Sequence, residues 1–330
     1  PWSENGEEHY SGRSVCSTFL SPYNLSYRIS IIMRNGVNLS RLFFLVFLFL
    51  LFCLICNPGK GPEATESDQL RELIDRADEA ASKARNELRT KDQLEKAIRI
   101  YKRVLKLDPG NAHALNRLSL GYFALAEAYL DSKKEETSAY DTGYNYGLKS
   151  LRTNEDFDDL YEKKGFRALK ELPESVVDVE GLFWIGANLG RLSERKGALN
   201  SLGNLSALVS VNRRVLELDE EYLGGGAHRA LGSIAGEILG HPFSFLIPKH
   251  DLSWEGARNH FERAIEIAPE CLENYFSYAK YYALKKGEEG RARELIDKVL
   301  SRPTEEGYPL INSIAKDKAR ALKSEKFEDS

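Results

Sequence analysis

Five of the six histidines, His113, His228, His241, His250 and His260, are the natural starting point for metal chemistry. They are scattered: His241 and His250 flank one segment, and His260 follows ten residues later. Zinc ligands come at tighter spacing on one face, so this pattern predicts no metal site. Asp156, Asp158 and Asp159 form an acidic cluster, but no glycine-centred calcium loop follows. The cluster reads instead as a helix start, favoured by the positive end of the helix dipole. No Gly-x-Ser-x-Gly is present. With no catalytic constellation and no cofactor motif, the chain is expected to be neither an enzyme nor a cofactor carrier.

Two places remain where a small ligand could be held. Gly224-Gly225-Gly226 precedes a helical stretch, with His228 and Arg229 in its first turns. Backbone N–H groups at such a start can cradle an anion, and an organic-acid carboxylate is the expected guest. The same glycines equally suit a turn that needs positive φ. Trp184 and Asn188 lie four residues apart on one helix face. They either line a cleft or sit in the core with the amide satisfied.

The elements that position these residues are helices. Ala257, Phe261, Ala264 and Pro269 stand at offsets 0, 4, 7 and 12. The first three share one helix face, and the proline stops the helix. A second helix follows with Tyr275, Tyr278, Ala279 and Tyr282 on one stripe, then a third with Ala292, Leu295, Ile296 and Val299. Pro303 lies 34 residues after Pro269, which is the period of the tetratricopeptide repeat. Ala97, Tyr101, Val104 and Pro109 repeat the same offsets, and Leu115, Leu118, Ser119 and Tyr122 follow them. Weaker copies are Leu208, Asn212 and Val215, and Tyr140, Tyr144, Leu148 and Leu151. One such unit cannot bury its apolar face alone, so several must stack. The expected fold is all-α, a right-handed superhelical helix-hairpin array of about four tetratricopeptide-like repeats over residues 68–322.

The 330 residues are 42% apolar, enough for a sizeable core. The net charge of −4 leaves no polycationic surface for nucleic acid. Residues 1–32 carry no helical period, and the only methionine is Met33, so 1–32 reads as a non-native or disordered extension. From Met33 the pattern is that of a secretory signal: Arg34 and Arg41, then fourteen apolar residues from 42 to 55, then Cys56. That run is shorter than the ~20 residues of a spanning helix. A run closing on a cysteine before a polar segment resembles a bacterial lipoprotein signal over 33–56, with Cys56 the lipidation site and Cys53 a competitor. Residues 57–67 read as a tether, 133–136 as a polar break and 323–330 as a charged tail. Cys271 is then a lone buried thiol, and a disulfide framework is excluded.

Glycines supply a further pattern. Gly232, Gly236 and Gly240 lie at i, i+4 and i+8, and Gly186 and Gly190 at i, i+4. Each interior helical glycine costs about 1 kcal/mol relative to alanine, so such rows need close approach of another helix, within the protomer or across a subunit interface.

The stretches "YFALAEAYL", "GLFWIGANLGRL", "GGGAHRALGSIAGEILG", "DLSWEGARNHFERAIEIAPE" and "NYFSYAKYYALKKGEEGRARELIDKVLSRP" occur in that order. Together with the leader they resemble the TatT family, the T component of tripartite ATP-independent periplasmic (TRAP) transporters, over roughly residues 92–303. Ile55 before the cysteine and the apolar loop at 243–247 depart from that pattern. The resemblance implies a lipid-anchored lipoprotein on the periplasmic side of a bacterial membrane. It also implies a trimer with an apolar pore that docks the substrate-binding subunit and offers a cleft to small organic ligands. A generic repeat scaffold for another periplasmic or outer-membrane assembly is the competing expectation.

Overall fold

A computed structural model describes residues 65–86, 90–197, 202–242, 244–246 and 252–328. The leader, Cys56 and the tether up to residue 64 lie outside the described residues, as do Phe243, Ile247 and His250. The described residues are all-helical, with no strand among them.

Among the described residues twelve α-helices follow one another: α1 (Glu66–Asn86), α2 (Lys91–Leu107), α3 (Ala112–Tyr129), α4 (Lys133–Leu151), α5 (Glu155–Lys164), α6 (Val179–Lys196), α7 (Leu202–Leu218), α8 (Tyr222–Leu239), α9 (Trp254–Ile267), α10 (Leu272–Tyr278), α11 (Glu289–Ser301) and α12 (Pro309–Lys323). Their starts follow from side-chain chemistry. Asn111, Ser132, Asn154, Asp178 and Ser253 each accept a hydrogen bond from a first-turn amide of the helix they precede, satisfying donors that have no partner within the helix. At α4 the cap is reciprocal: Ser132 Oγ accepts from the Glu135 amide at 3.2 Å and donates to Glu135 Oε2 at 2.8 Å. Residues 133–136, expected as a polar break, are therefore the first turn of α4. Lys133, Lys134 and Glu135 face water there while the cap fixes the helix start.

Neighbours in sequence pack as neighbours in space: α1 on α2, α3 on α4, α6 on α7, α8 on α9 and α10 on α11. The C-terminal helix α12 packs against α10 and α11 and also reaches back to α1. Ala257, Phe261 and Ala264 on α9 are buried, as are Ala292, Leu295, Ile296 and Val299 on α11 and Ala97, Tyr101 and Val104 on α2. Phe261 stacks on Tyr278 at 5.2 Å between centroids. The segment after α12 is not a solvated tail: Ser324–Glu328 winds as a π-helical turn, and Phe327 is buried under Arg293.

Two departures from regular α-helical geometry lie close to the glycine rows. After α10 the chain winds as a π-helix over Ala279–Ala283, marked by the Leu284 amide donating to the Ala279 carbonyl. At the start of α8, Leu223, Gly224 and Gly225 are left-handed, with φ of 52°, 64° and 71°. The glycines therefore form a turn before the regular helix. A side chain at Gly225 would meet Ala264 Cα on α9 at 2.9 Å, so both the conformation and the space require glycine.

Candidate functional site

A cavity of about 770 Å³ lies among α1–α3, α6–α8, α10 and α12, with a mostly apolar wall. The helix α6 is the reason it can exist. Leu182, Ile185, Leu189 and Leu192 are buried on one side against neighbouring helices. Trp184, Ala187, Gly190 and Arg191 line the cavity. A helix apolar on nearly every face is covered on several sides, and here one of those sides is the cavity wall. Helix α12 supplies Leu310, Ile311, Ile314 and Lys318 to the wall.

One end of the wall is ionic. Arg191 Nε lies 2.7 Å from Glu127 Oε1, and its Nη1 is 2.9 Å from Glu194 Oε2. Lys318 Nζ reaches Glu127 Oε2 at 2.5 Å, and Tyr140 donates its hydroxyl to Glu127 Oε1 at 2.5 Å. Glu273 lies 3.5 Å from Lys318 and 3.7 Å from Arg191. Lys280 joins through Glu194 at 2.9 Å and the Tyr281 hydroxyl at 3.0 Å. Burial would raise the Glu127 carboxyl, but Arg191 and Lys318 outweigh it and hold it down at about 2. Arg191, Lys280 and Lys318 balance Glu127, Glu194 and Glu273, so the network ties α3, α4, α6, α10 and α12 together without a net charge.

A second polar cluster lies away from the cavity. His228 Nδ1 and His260 Nδ1 are 2.7 Å apart, so only one proton occupies the gap. His228 Nε2 meets Glu220 Oε1 at 2.9 Å, and Arg263 Nε meets the same oxygen at 2.9 Å. Burial, then the neighbouring His228 and Arg213, pushes the His260 imidazole down to about 4. Among the described residues no group of three or more His, Cys, Asp or Glu side chains is placed to hold a metal ion.

A family model described as TRAP transporter T-component matches residues 126–328. The chain belongs to the TRAP transporter T-component family. Membership gives this T-component an accessory role in TRAP transport. No curated protein matches the chain. The match takes in α4–α12 and the end of α3. The cavity wall extends beyond it, to Ala84, Ile98 and Arg117 on α1, α2 and α3. No described helix of the T-component is long and apolar enough to cross a membrane.

The residues singled out in the sequence divide between wall and core. Trp184, Arg229, Gly186 and Gly190 line the cavity. Of the two places open to Asn188, cleft or core, it takes the core and is fully buried. Its Nδ2 donates to the Trp184 carbonyl at 2.8 Å and to the Ser119 carbonyl and hydroxyl at 3.2 Å, fastening α6 to α3. His228 belongs to the histidine cluster and not to the wall. The triglycine does not cradle an anion, since the Gly224 and Gly225 amides donate to the Glu221 carbonyl.

The glycine rows meet different neighbours. A Cβ at Gly232 would fall 2.8 Å from the Phe261 ring, one at Gly236 1.7 Å from the Tyr281 carbonyl oxygen, and one at Gly240 2.9 Å from the Gly236 carbonyl and Lys285 Cδ. At Gly186 the neighbour is Val211 Cγ1 at 3.2 Å. At Gly190 nothing is closer than Leu208 Cδ2 at 3.9 Å. Sequence reasoning missed Glu127, Arg191, Glu273 and Lys318 altogether. It also passed over the pairing of His228 with His260.

Proposed function

We propose that this T-component is a periplasmic lipoprotein accessory that docks the substrate-binding subunit of its TRAP transporter and offers the apolar cavity to a small organic ligand in transit. The observation that carries the reading is the cavity itself, about 770 Å³ with a mostly apolar wall, in a chain of this family. Pockets of ~300–1,000 Å³ with few polar groups are the usual size and character of small-molecule sites. In this reading the helix hairpins form a right-handed superhelix of about four tetratricopeptide-like units, the lipid sits on Cys56, and three protomers associate into a trimer. The sequential pairing of helices supports the first of these, and the family supports the association with a transporter.

The test is a pull-down and sedimentation experiment with a purified TRAP substrate-binding protein. A complex of defined stoichiometry is expected. No association at concentrations up to hundreds of micromolar would overturn the docking role.

A further inference from the structure

Most charged groups on the cavity wall carry their counter-charge with them. Arg117 meets Glu180 at 2.7 Å, Arg191 and Lys318 share Glu127, and Glu237 meets Lys285 at 3.1 Å. Arg229 does not: its side-chain partners among the described residues are Asn274 Oδ1 at 2.5 Å and the Cys271 sulfur at 3.9 Å. Neither is charged as an acid, since burial raises the Cys271 thiol. Arg85, another wall cation without a carboxylate, is exposed to water, whereas Arg229 is partly buried. A cation desolvated against an apolar wall with neutral partners alone is under-compensated.

The position of Arg229 is built. Asn274 is fully buried, and its Nδ2 donates to the carbonyls of Gly224 at 3.1 Å, Ala264 at 2.7 Å and Ala268 at 3.3 Å. With the donor side of the amide consumed, Oδ1 must face the guanidinium. The left-handed turn at Gly224 is what turns its carbonyl to Asn274. Turn, amide and guanidinium thus form a chain that fixes Nη1 and leaves Nε and Nη2 without an acceptor among the described residues. A guanidinium with free, oriented donors matches a carboxylate.

We propose that the cavity selects an apolar monocarboxylate, a molecule with one acid group held by Arg229 and a long aliphatic or aromatic body against the wall. This rests on the reading of the cavity as a ligand site. A second carboxylate would face apolar side chains or the Glu127, Glu194 and Glu273 end, and an amine placed beside Arg229 would meet a like charge. Asn274 is a positioning residue in this scheme.

The test is calorimetric titration of the purified full chain, in detergent-free buffer, with decanoate, decanol, decylamine and succinate. Decanoate is expected to bind on the order of 10–100-fold more tightly than decanol, the span of one charge-assisted contact. Succinate and decylamine should bind more weakly than decanol. Arg229→Gln should erase the preference for decanoate and leave decanol affinity unchanged, and Arg229→Lys should restore part of it. Equal binding of decanoate and decanol, or a preference that survives Arg229→Gln, would overturn the ligand class while the cavity remains a ligand site. Failure of every apolar probe to bind would overturn the cavity reading itself and the ligand class with it.

Discussion

The glycines of α6 and α8 allow the same substitution to be predicted with opposite signs. At Gly236 an added Cβ would stand 1.7 Å from the Tyr281 carbonyl oxygen, 2.7 Å from its carbon and 3.4 Å from its Cα. A comfortable carbon contact is about 3.5 Å, so α8 and the π-helical segment must separate by well over 1 Å. The obstacle is backbone and cannot rotate aside. The Tyr281 side chain is itself buried and held through its hydroxyl by Arg191, Lys280 and Glu194. Overpacking costs about 1–3 kcal/mol and more where relaxation is blocked. The helix-propensity gain from glycine to alanine returns up to ~1 kcal/mol. Gly236→Ala should therefore destabilise by roughly 2–3 kcal/mol, a fall in Tm of about 5–10 °C for a domain of this size. Gly190→Ala meets nothing closer than 3.9 Å, so the propensity gain stands alone and Tm should rise by about 2–3 °C. Thermal melts followed by circular dichroism, with sedimentation as a check on assembly, read both. The Gly236 contact lies within one protomer, so the loss should be the same at every protein concentration. Wild-type melting of Gly236→Ala would refute the contact between α8 and the π-helical segment on which the estimate rests.

Phe261→Ala removes a fully buried ring stacked on Tyr278 and should cost about 3–5 kcal/mol in denaturant unfolding; an unchanged midpoint would show the ring is not in the core. Glu127→Gln removes the carboxylate that Arg191 and Lys318 share and leaves three cations of the network against Glu194 and Glu273 alone; it should cost about 3–5 kcal/mol, as expected for breaking a buried ionic group, whereas equal stability would mean water already compensates them. His260 titrates at about 4 in the folded chain against 6.5 ordinarily. The unfolded chain therefore takes up its proton first, and stability falls as pH drops from 6.5 to 4. The full gap is worth ~3 kcal/mol at ~1.4 kcal/mol per pH unit, or roughly 1.5 after screening of the partly exposed ring. Urea unfolding of wild type against His260→Gln across that window should isolate the slope, and parallel curves would refute it. Cys56→Ala should shift the protein from the membrane to the soluble periplasmic fraction; retention on the membrane would place the anchor elsewhere.

The helices were readable because their information is local. A buried stripe must recur at helical spacing within one element, so Ala257, Phe261 and Ala264 or Ala292, Leu295, Ile296 and Val299 declare their face without reference to the rest of the chain. Turn chemistry was legible only in part. Three consecutive glycines announce a special backbone, but a left-handed turn and a helix start with free amides make the same demand on composition. The choice between them depends on Ala264 and Ala268, far along the chain, which leave no room for side chains at Gly224 and Gly225.

The cavity was illegible for a stronger reason. Its ionic end joins Glu127 to Arg191 across 64 positions and to Lys318 across 191. Each of these residues, read alone, is one more charge on an amphipathic helix. What distinguishes them is that Glu127 keeps its charge although buried, and that depends on two cations brought by elements distant in sequence. Arg229 stood out in the sequence for a different reason, its place beside a glycine turn, and the anion site expected there was to be made of backbone amides. The amides are spent on Glu221, yet the turn still acts on Arg229, because the carbonyl it exposes orients Asn274, and Asn274 orients the guanidinium. The chemistry therefore passes through an asparagine that no local pattern marks. A buried amide whose donors are all consumed has its acceptor direction fixed, and in this fold that direction is toward Arg229, a partly buried cavity cation without an acid partner.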